Sequence, residues 1–389
     1  LTDWEVGTTE TLPDGRTLRT FQVTAEDKEI EIAPGVTFPA WTFNGRIPGP
    51  ALRATEGDRV RIVFQNLGSH PHSMHFHGIH SARMDGVNGT PGMIGPGAEF
   101  IYEFDAKPFG CHLYHCHALP LKRHMAKGMY GAFVVDPAPE RHPEQAETAR
   151  SRLLGSAENA RWQEMVMVMN AFDTNFDEEN EFYAVNTIAF AYMKKPIRIV
   201  KNRPVRVYLI NTVEFDPINS FHLHGNFFDY YNQGTTLSPT LRTVDIITQC
   251  QAERGILEFS FAEHEPGLYM FHAHQAEFTE LGWMANFGGG VKMTQSAARP
   301  DGPQKLIWLL MPLALLIAAI GWVVFADPFE SFKTGAPPVE SLTFERTILN
   351  EQGLRLLVRA GGSEPMRIAQ VQVDAAYWTF AQTPAGDIS

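Results

Sequence analysis

The run Tyr114-His115-Cys116-His117 places one thiol between two imidazoles, and both groups are ligands of transition metals. Neighbouring side chains of a β-strand point to opposite faces of the sheet. On a strand, Cys116 therefore faces one way, whereas His115 and His117 face the other. This spacing predicts two separate metal centres that are joined by the few covalent bonds between Cys116 and its neighbours.

Other donors complete the centre on the cysteine side. His72 lies three residues before a His-x-His pair, so on a strand it faces away from that pair. His124 and Met129 follow Cys116 within one loop. Two histidines, a cysteine thiolate and a weak axial methionine are the ligand set of a blue electron-transfer copper. We therefore predict that His72, Cys116 and His124 bind one copper, with Met129 as the weak fourth ligand.

Four His-x-His pairs recur along the chain. Alternate residues of a strand share a face, so each pair offers two imidazole donors on one side. Eight imidazoles exceed the needs of a single zinc ion and fit a cluster of three metals. The eight predicted ligands are His75, His77, His115, His117, His222, His224, His272 and His274.

The four pairs occupy matching places in an internal repeat. The second copy keeps both pairs, but it has Asn219 where the first has His72 and Ala273 where the first has Cys116. Both lost residues are donors of the same predicted centre. The second half of the chain is therefore predicted to contribute imidazoles to the cluster and to lack a blue copper.

Composition narrows the class of protein. The formal net charge of −12, with no basic run, argues against nucleic acid and anionic membrane surfaces as partners. The 32 glycines and 26 prolines, together with apolar alternation, favour a β-rich protein with many turns. Three cysteines are too few for a disulfide scaffold, and Cys111 and Cys250 either pair or remain free thiols.

The alternating segments fall into blocks that predict an all-β fold. We predict β-domains at residues 1–140 and 162–295, a charged linker at 141–161, and a small partial β-rich domain at 327–389. The predicted strands include residues 30–32, 59–64, 131–135, 165–169, 205–210, 342–349, 354–359 and 366–373.

One segment differs from the rest of the chain. Residues 306–326 form 21 consecutive residues without a charge, which is long enough for a transmembrane helix. Arg299 and Lys305 precede this segment, whereas Asp327 and Glu330 follow it. The charges favour a cytoplasmic position for the preceding domains, but the bias is small and large domains translocate largely regardless of it.

Four motifs together resemble the multicopper oxidases, specifically the two-domain laccase-like group with a blue copper in the first domain. The resemblance covers about residues 28–295, and its motifs are Asn44-Gly45-Arg-Ile-Pro-Gly-Pro50, His75-Phe-His77-Gly78, Met84-Asp85-Gly86-Val87 and Tyr114-His115-Cys116-His117. It implies two tandem cupredoxin-like Greek-key β-sandwich domains. It also implies a homotrimer whose trinuclear copper clusters lie between subunits, on the periplasmic or extracellular face of a membrane.

The resemblance also implies roles for the predicted ligands. Four coppers per chain would transfer electrons from a small reductant, phenol-like or a reduced metal ion, to O₂. The reductant would dock beside His124, and the electron would pass through Cys116. His75 and His222 would hold the type 2 copper, and the other six paired histidines would hold the type 3 pair.

Carboxylates are the candidates for proton transfer. Asp85 matches an acidic residue of the family near the cluster, although an aspartate in an Asp-Gly turn is an equally good interpretation. Glu277 is a second, weaker candidate. The five remaining histidines are interpreted as structural: His70, His80, His112, His142 and His264.

Two other functions stay open. A copper nitrite reductase shares the two-domain trimer, but that family has an aspartate at the position of His75 and no histidine at the position of His117. A copper-storage or sensing module would bind the metal without turnover. The number of coppers per chain and the acceptor consumed separate these functions.

Overall fold

A computed structural model describes residues 2–289, 342–350, 353–360, 371–373, 376–378 and 381. The chain divides into two compact units, Leu1–Met293 and Thr294–Ser389. The described part of the first unit contains two β-domains, each built from two sheets around an apolar core. The predicted all-β architecture is confirmed for this part of the chain.

The first domain places its histidine pairs on neighbouring strands of one sheet. Its strands are β1 (Trp4–Glu5), β2 (Thr8–Thr11), β3 (Thr17–Ala33), β4 (Val36–Phe43), β5 (Ala51–Thr55), β6 (Arg59–Asn66), β7 (His75–Phe76), β8 (Glu99–Asp105), β9 (Gly110–His115) and β10 (Tyr130–Asp136). One sheet has the order β1-β5-β10-β9-β7, and the other has β2-β3-β6-β8 with β4 beside β3. Along β6, Val60, Ile62 and Phe64 are buried in alternation with partly exposed residues, as a half-buried strand requires.

The second domain repeats this plan. Its strands are β11 (Gln163–Phe172), β12 (Phe182–Val185), β13 (Ile197–Ile199), β14 (Val205–Asn211), β15 (Ile218–Leu223), β16 (Phe228–Asn232), β17 (Leu241–Val244), β18 (Ile246–Cys250), β19 (Arg254–Phe259), β20 (Gly267–His272) and β21 (Met284–Gly289). The two sheets have the orders β12-β11-β14-β19-β16-β17 and β13-β21-β20-β15-β18. The pairing of β15 with β20 corresponds to the pairing of β7 with β9 in the first domain.

Short helices occupy the connections. The α-helices are α1 (Leu121–Ala126), α2 (Ala146–Arg152), α3 (Ala191–Lys194) and α4 (Ala276–Glu280), and 3-10 turns lie at Ala82–Met84, Pro139–Arg141, Pro143–Gln145 and Asn159–Arg161. Helix α1 follows Cys116 and carries His124. Helix α2 lies within the predicted linker, which is thus partly helical, and its Arg152 is buried.

A buried charge network joins the two domains. Arg53 of β5 contacts the Asp136 carboxylate at 3.0 Å and the Glu164 carboxylate of β11 at 2.7 Å. Arg206 of β14 contacts the other oxygen of Glu164 at 2.8 Å, and Arg53 also donates to the carbonyl of Arg152. All five residues are buried. Because a buried charge is costly without a partner, this network ties the two domains and the linker into one arrangement.

The two thiols outside the predicted copper centre are free. Cys111 is buried in β9, and Cys250 is exposed at the end of β18. Of the two alternatives left open by the sequence, the structure therefore shows unpaired cysteines.

The second unit shows two strand pairs. Strand β22 (Leu342–Asn350) pairs with β23 (Gly353–Ala360), and β24 (Val371–Val373) pairs with β25 (Ala376–Trp378). Both longer strands coincide with predicted ones. Among the described residues, no helix has the length and apolar character needed to cross a bilayer. The predicted transmembrane segment 306–326 lies outside the described residues.

Candidate metal centres

The structure brings Cys116, His72 and His124 together in the interior of the first domain. The Cys116 Sγ atom lies 3.2 Å from His124 Nδ1 and 3.8 Å from His72 Nδ1, and the two Nδ1 atoms are 3.3 Å apart. All three residues are at most 2% exposed. A thiol and two imidazoles thus converge on one small, buried space, which we call the thiolate centre.

Backbone contacts from three segments hold the thiolate centre in place. His72 forms an isolated bridge with Ile94, with both backbone hydrogen bonds at 3.0 Å. The Met129 amide donates to the His124 carbonyl, and the Cys116 amide donates to the Met129 carbonyl, so these bonds close the loop that carries α1. Met129 is fully buried in the same apolar core as Cys116. The predicted weak ligand is therefore held on the segment that closes the centre.

Burial sets the protonation of the thiolate centre. It lowers the pKa of His72 to about 4 and that of His124 to about 3, so both imidazoles are neutral near pH 7. It also raises the pKa of the Cys116 thiol to about 11. A metal that binds here finds two free imidazole lone pairs and must displace the thiol proton.

The first histidine tetrad comprises His75, His77, His115 and His117. Its ring centroids lie 5.0–5.6 Å apart wherever two rings adjoin, and the Nε2 atoms of His77 and His115 are 2.9 Å apart. Strand pairing explains the convergence, because His75 lies opposite His115 while Phe76 and Tyr114 turn into the core. Strand β9 ends at His115, so His117 reaches the tetrad from the following turn.

In two rings of this tetrad Nδ1 has a protein oxygen as its partner, so Nε2 is the nitrogen that remains as a metal donor. His115 Nδ1 lies 2.8 Å from the Cys116 carbonyl oxygen, to which its N–H donates. His75 Nδ1 lies 2.9 Å from both the carbonyl and a carboxylate oxygen of Asp85. Such partners fix the tautomer and orientation of a metal-binding imidazole. Burial, the largest cause, also lowers the pKa of His75, and it lowers that of His115 to about 4.

The second histidine tetrad comprises His222, His224, His272 and His274. His222 lies opposite His272 on β15 and β20, and the Nε2 atoms of His224 and His272 are 2.8 Å apart. His222 Nδ1 is 2.9 Å from the Asp245 carbonyl, and the His272 ring contacts the carbonyl of Ala273. The second tetrad therefore repeats the geometry of the first.

Among the described residues, no thiolate centre accompanies the second tetrad. Asn219 and Ala273 occupy the places of His72 and Cys116, and both are fully buried. The Asn219 side-chain oxygen accepts a hydrogen bond from the Ser220 backbone amide, and Ala273 packs in the apolar core. In the second domain, the place that corresponds to the thiolate centre is thus occupied by the buried side chains of Asn219 and Ala273.

The two proposed proton carriers differ in their surroundings. Asp85 contacts His75 as described, and the same carboxylate oxygen is 3.4 Å from His80 Nε2. Glu277 is exposed on α4, and within the described residues it forms no hydrogen bond or ion pair with an imidazole. The residue in the second domain that corresponds to Asp85 is Asp245, which partners His222.

Asp245 and His80 are site residues that sequence reasoning missed. Asp85 follows its histidine partner by 10 positions, whereas Asp245 follows its own by 23, so the repeat gave no common spacing. His80 was assigned a structural role because it lies outside every His-x-His pair. Its ring centroid is nevertheless 4.9 Å from that of His75.

The two tetrads are separate within one chain. Among the described residues, no candidate group of metal donors draws on both tetrads, and no adjoining imidazole pair joins the two. His224 and His274 are exposed, whereas His77 and His117 are half-buried. Each tetrad therefore presents several imidazoles on an open face of the chain.

The donor types fit copper at all three places. Two imidazoles and a thiolate with a nearby methionine suit a blue copper, and clustered imidazoles suit further copper ions. The thiolate centre and the first tetrad are joined through the adjacent residues His115, Cys116 and His117. The arrangement is therefore suited to moving single electrons from the thiolate centre to the imidazole-lined one.

Comparisons with known proteins also indicate domains that bind copper. Two family models, both described as multicopper oxidase, match residues 24–140 and 162–290. A solved structure described as the crystal structure of a multicopper oxidase is 52% identical to this chain. The match covers 74% of this chain and 94% of the other, with a TM-score of 0.67.

Curated relatives match over shorter segments. A copper-containing nitrite reductase of Neisseria meningitidis is 35% identical over 113 residues, which are 28% of this chain and 28% of that protein. A copper resistance protein A homolog of Pseudomonas syringae is 37% identical over 129 residues, which are 32% of this chain and 21% of that protein. The matches thus span less than a third of the length of either relative.

Proposed function

This chain belongs to the multicopper oxidase family, and on that premise we propose that it couples four one-electron oxidations of a small reductant to the reduction of O₂ to water. The family makes it a copper-binding oxidoreductase. The laccase-like reaction, with a phenol or a reduced metal ion as reductant, is the proposal. The observation that carries it is the adjacency of Cys116, in the thiolate centre, to His115, in the first tetrad.

Each donor set has its own task in this proposal. Copper supplies the one-electron chemistry when it is bound. His72, Cys116 and His124, with Met129, hold the type 1 copper, and Cys116 provides the covalent path to the tetrad. We propose four coppers per chain, with a type 2 copper on His75 and His222 and a type 3 pair on His77, His115, His117, His224, His272 and His274.

The proton needed for water formation is assigned to the carboxylates beside the tetrads. One carboxylate oxygen of Asp85 lies between His75 and His80, so the three residues form a short polar chain. Asp245 has the matching place beside His222. We propose that Asp85 relays protons and orients His75. Asp245 orients His222 in the corresponding way. Glu277, exposed on α4, is not included.

The separation of the tetrads favours a cluster shared between subunits. Exposed metal ligands on an open face need further donors to close the site. Apolar side chains are exposed on the segments that carry the second tetrad: Phe227, three residues after His224, is 56% exposed, and Leu268, on β20, is 62% exposed. Exposed apolar side chains beside metal ligands at the surface are typical of an interface. We propose a homotrimer in which the first tetrad of one subunit meets the second tetrad of the next.

Subunit complementation tests the shared cluster. His77→Ala removes a donor of the first tetrad, and His224→Ala removes a donor of the second. Each variant alone should lack oxidase activity. Mixed trimers should regain part of it, because some interfaces then pair two intact tetrads. Oxygen uptake measured after co-refolding is the readout, and the double variant His77→Ala/His224→Ala, refolded alone, is the control. Mixed trimers without activity would show that each cluster forms within one chain.

The acceptor and the copper content test the proposed reaction. Nitrite reduction is the competing activity, because a nitrite reductase is among the relatives that match part of the chain. We expect copper-loaded protein to hold four coppers per chain and to consume O₂ with hydroquinone as reductant. Two coppers per chain, with nitrite consumed and O₂ not, would establish the reductase instead. Copper binding without reoxidation by O₂ would indicate storage.

We also propose that residues 306–326 anchor the oxidase to a membrane, on its periplasmic or extracellular face. The support is the run of 21 residues without a charge. Fractionation of cells that express the chain with and without this segment is the measurement that checks the proposal.

A further inference from the structure

The ligands of the thiolate centre are not exposed to a reductant. His72 is 0% exposed and His124 is 2% exposed, so neither ring edge offers a docking surface. The sequence had suggested that a reductant docks beside His124. A buried ligand needs another group to connect it electronically with the surface.

Trp41 is the group that makes this connection. Its ring centroid lies 4.7 Å from that of His124 and 5.6 Å from that of His72. Within the described part of the chain, it is the only ring outside the thiolate centre that adjoins both imidazoles. Trp41 is itself 7% exposed, so its outer side is largely covered.

Two exposed residues cover Trp41. The ring of His70 lies 4.4 Å from the Trp41 ring, and the Arg123 guanidinium lies 5.4 Å above it. Arg123 forms no ion pair with a carboxylate among the described residues, unlike the adjacent Lys122, which pairs with Glu178. The surface above Trp41 therefore offers a cation that is available to a ligand.

Apolar side chains are exposed on the same two segments. Leu67, three residues before His70, is 55% exposed, and Leu119, just before α1, is 66% exposed. A cation flanked by exposed apolar groups suits a ligand that is both aromatic and negatively charged.

We propose that electrons reach the thiolate centre through Trp41, and that His70 and Arg123 receive an anionic aromatic reductant above it. This inference rests on the proposed oxidase function. In each transfer the reductant loses one electron and the copper on Cys116 gains one. No covalent bond changes in Trp41, and the proton of an oxidised phenol passes to solvent. Trp41 thus lies between the reductant and the ligands of the thiolate centre and carries the electron from one to the other.

Substitution of Trp41 tests the bridge. Trp41→Leu should slow anaerobic bleaching of the blue absorption by hydroquinone about tenfold, which corresponds to roughly 1.4 kcal/mol in activation free energy. The midpoint potential and the copper content should not change, whereas a merely structural role would move the potential. Trp41→Phe keeps an aromatic ring and should restore most of the rate. Equal bleaching rates in Trp41→Leu and the unsubstituted protein would overturn the proposal.

A neighbouring cleft supplies the matched control. Phe176 is 58% exposed and lines a cavity of about 500 Å³ beside α1, which Arg123 also borders, but its ring adjoins neither imidazole of the thiolate centre. Phe176→Leu should leave the bleaching rate unchanged. If it slows bleaching and Trp41→Leu does not, the reductant docks in that cleft and the bridge through Trp41 is wrong.

Fluorescence gives a readout that is independent of turnover. Cu(II) added to the metal-free protein should quench the emission of Trp41, since its ring adjoins two ligands. The quenching should therefore be smaller in Trp41→Phe. Identical quenching in both proteins would contradict the assigned proximity.

The charge of the reductant is tested at Arg123. Arg123→Gln should slow bleaching by hydroquinone sulfonate several-fold more than bleaching by uncharged hydroquinone. An equal effect on both reductants, or on neither, would overturn the preference for anions. Failure of the proposed oxidase function would give a different result, because the unsubstituted protein would then lack the blue band or would not consume O₂.

Discussion

Replacing Cys116 with serine is expected to abolish the blue absorption and stop turnover, while both tetrads remain able to bind copper. Serine keeps the size of the side chain but replaces a soft thiolate by a hydroxyl, which is a poor ligand for copper in this geometry. The eight tetrad histidines keep their strand pairing, because His75 opposite His115 and His222 opposite His272 do not depend on the thiol. Absorption spectra, copper analysis and oxygen uptake measure the three effects.

Cys111 provides the matched control for this substitution. It lies five residues before Cys116, in β9, is equally buried, and is a free thiol outside all three candidate metal centres. Cys111→Ser should therefore keep the blue band and the oxidase activity. Retained activity in Cys116→Ser would overturn the assignment of Cys116 as the only path for electrons into the tetrad.

Replacing Glu164 with alanine is expected to destabilise the first unit by about 3–5 kcal/mol. Glu164 pairs with Arg53 at 2.7 Å and with Arg206 at 2.8 Å, and its side chain is 6% exposed. Burial alone would raise the pKa of Glu164, but the two guanidinium charges outweigh it and lower that pKa. Removal of the carboxylate leaves the buried guanidinium groups of Arg53 and Arg206 with one ion-pair partner fewer each. Urea unfolding of the copper-free protein measures the change.

A surface ion pair of the same chemistry supplies the control. Glu103 pairs with Arg61 at 2.8 Å, but the two side chains are 29% and 37% exposed. Glu103→Ala should therefore cost about 1 kcal/mol or less, because water screens and replaces the lost partner. If both variants lose the same stability, the charge network does not hold the two domains together.

The sequence determined the ligands and the faces on which they lie. Period-two alternation is a local property of a strand, so it separated Cys116 from His115 and His117 without knowledge of the fold. The internal repeat likewise indicated that Asn219 and Ala273 mark a missing centre. Both inferences use spacings of a few residues, over which backbone geometry is nearly fixed.

Tertiary structure decided what surrounds those ligands. Trp41 meets His124, and Asp245 meets His222, across long stretches of chain whose approach depends on the packing of whole sheets. Burial of His72 and His124 depends on the same packing, and so does the separation of the two tetrads. No spacing rule encodes these contacts, because they join segments whose relative position is set only when the apolar cores form. The sequence alone thus indicated which residues are candidate metal ligands, whereas the folded chain determined which groups surround them.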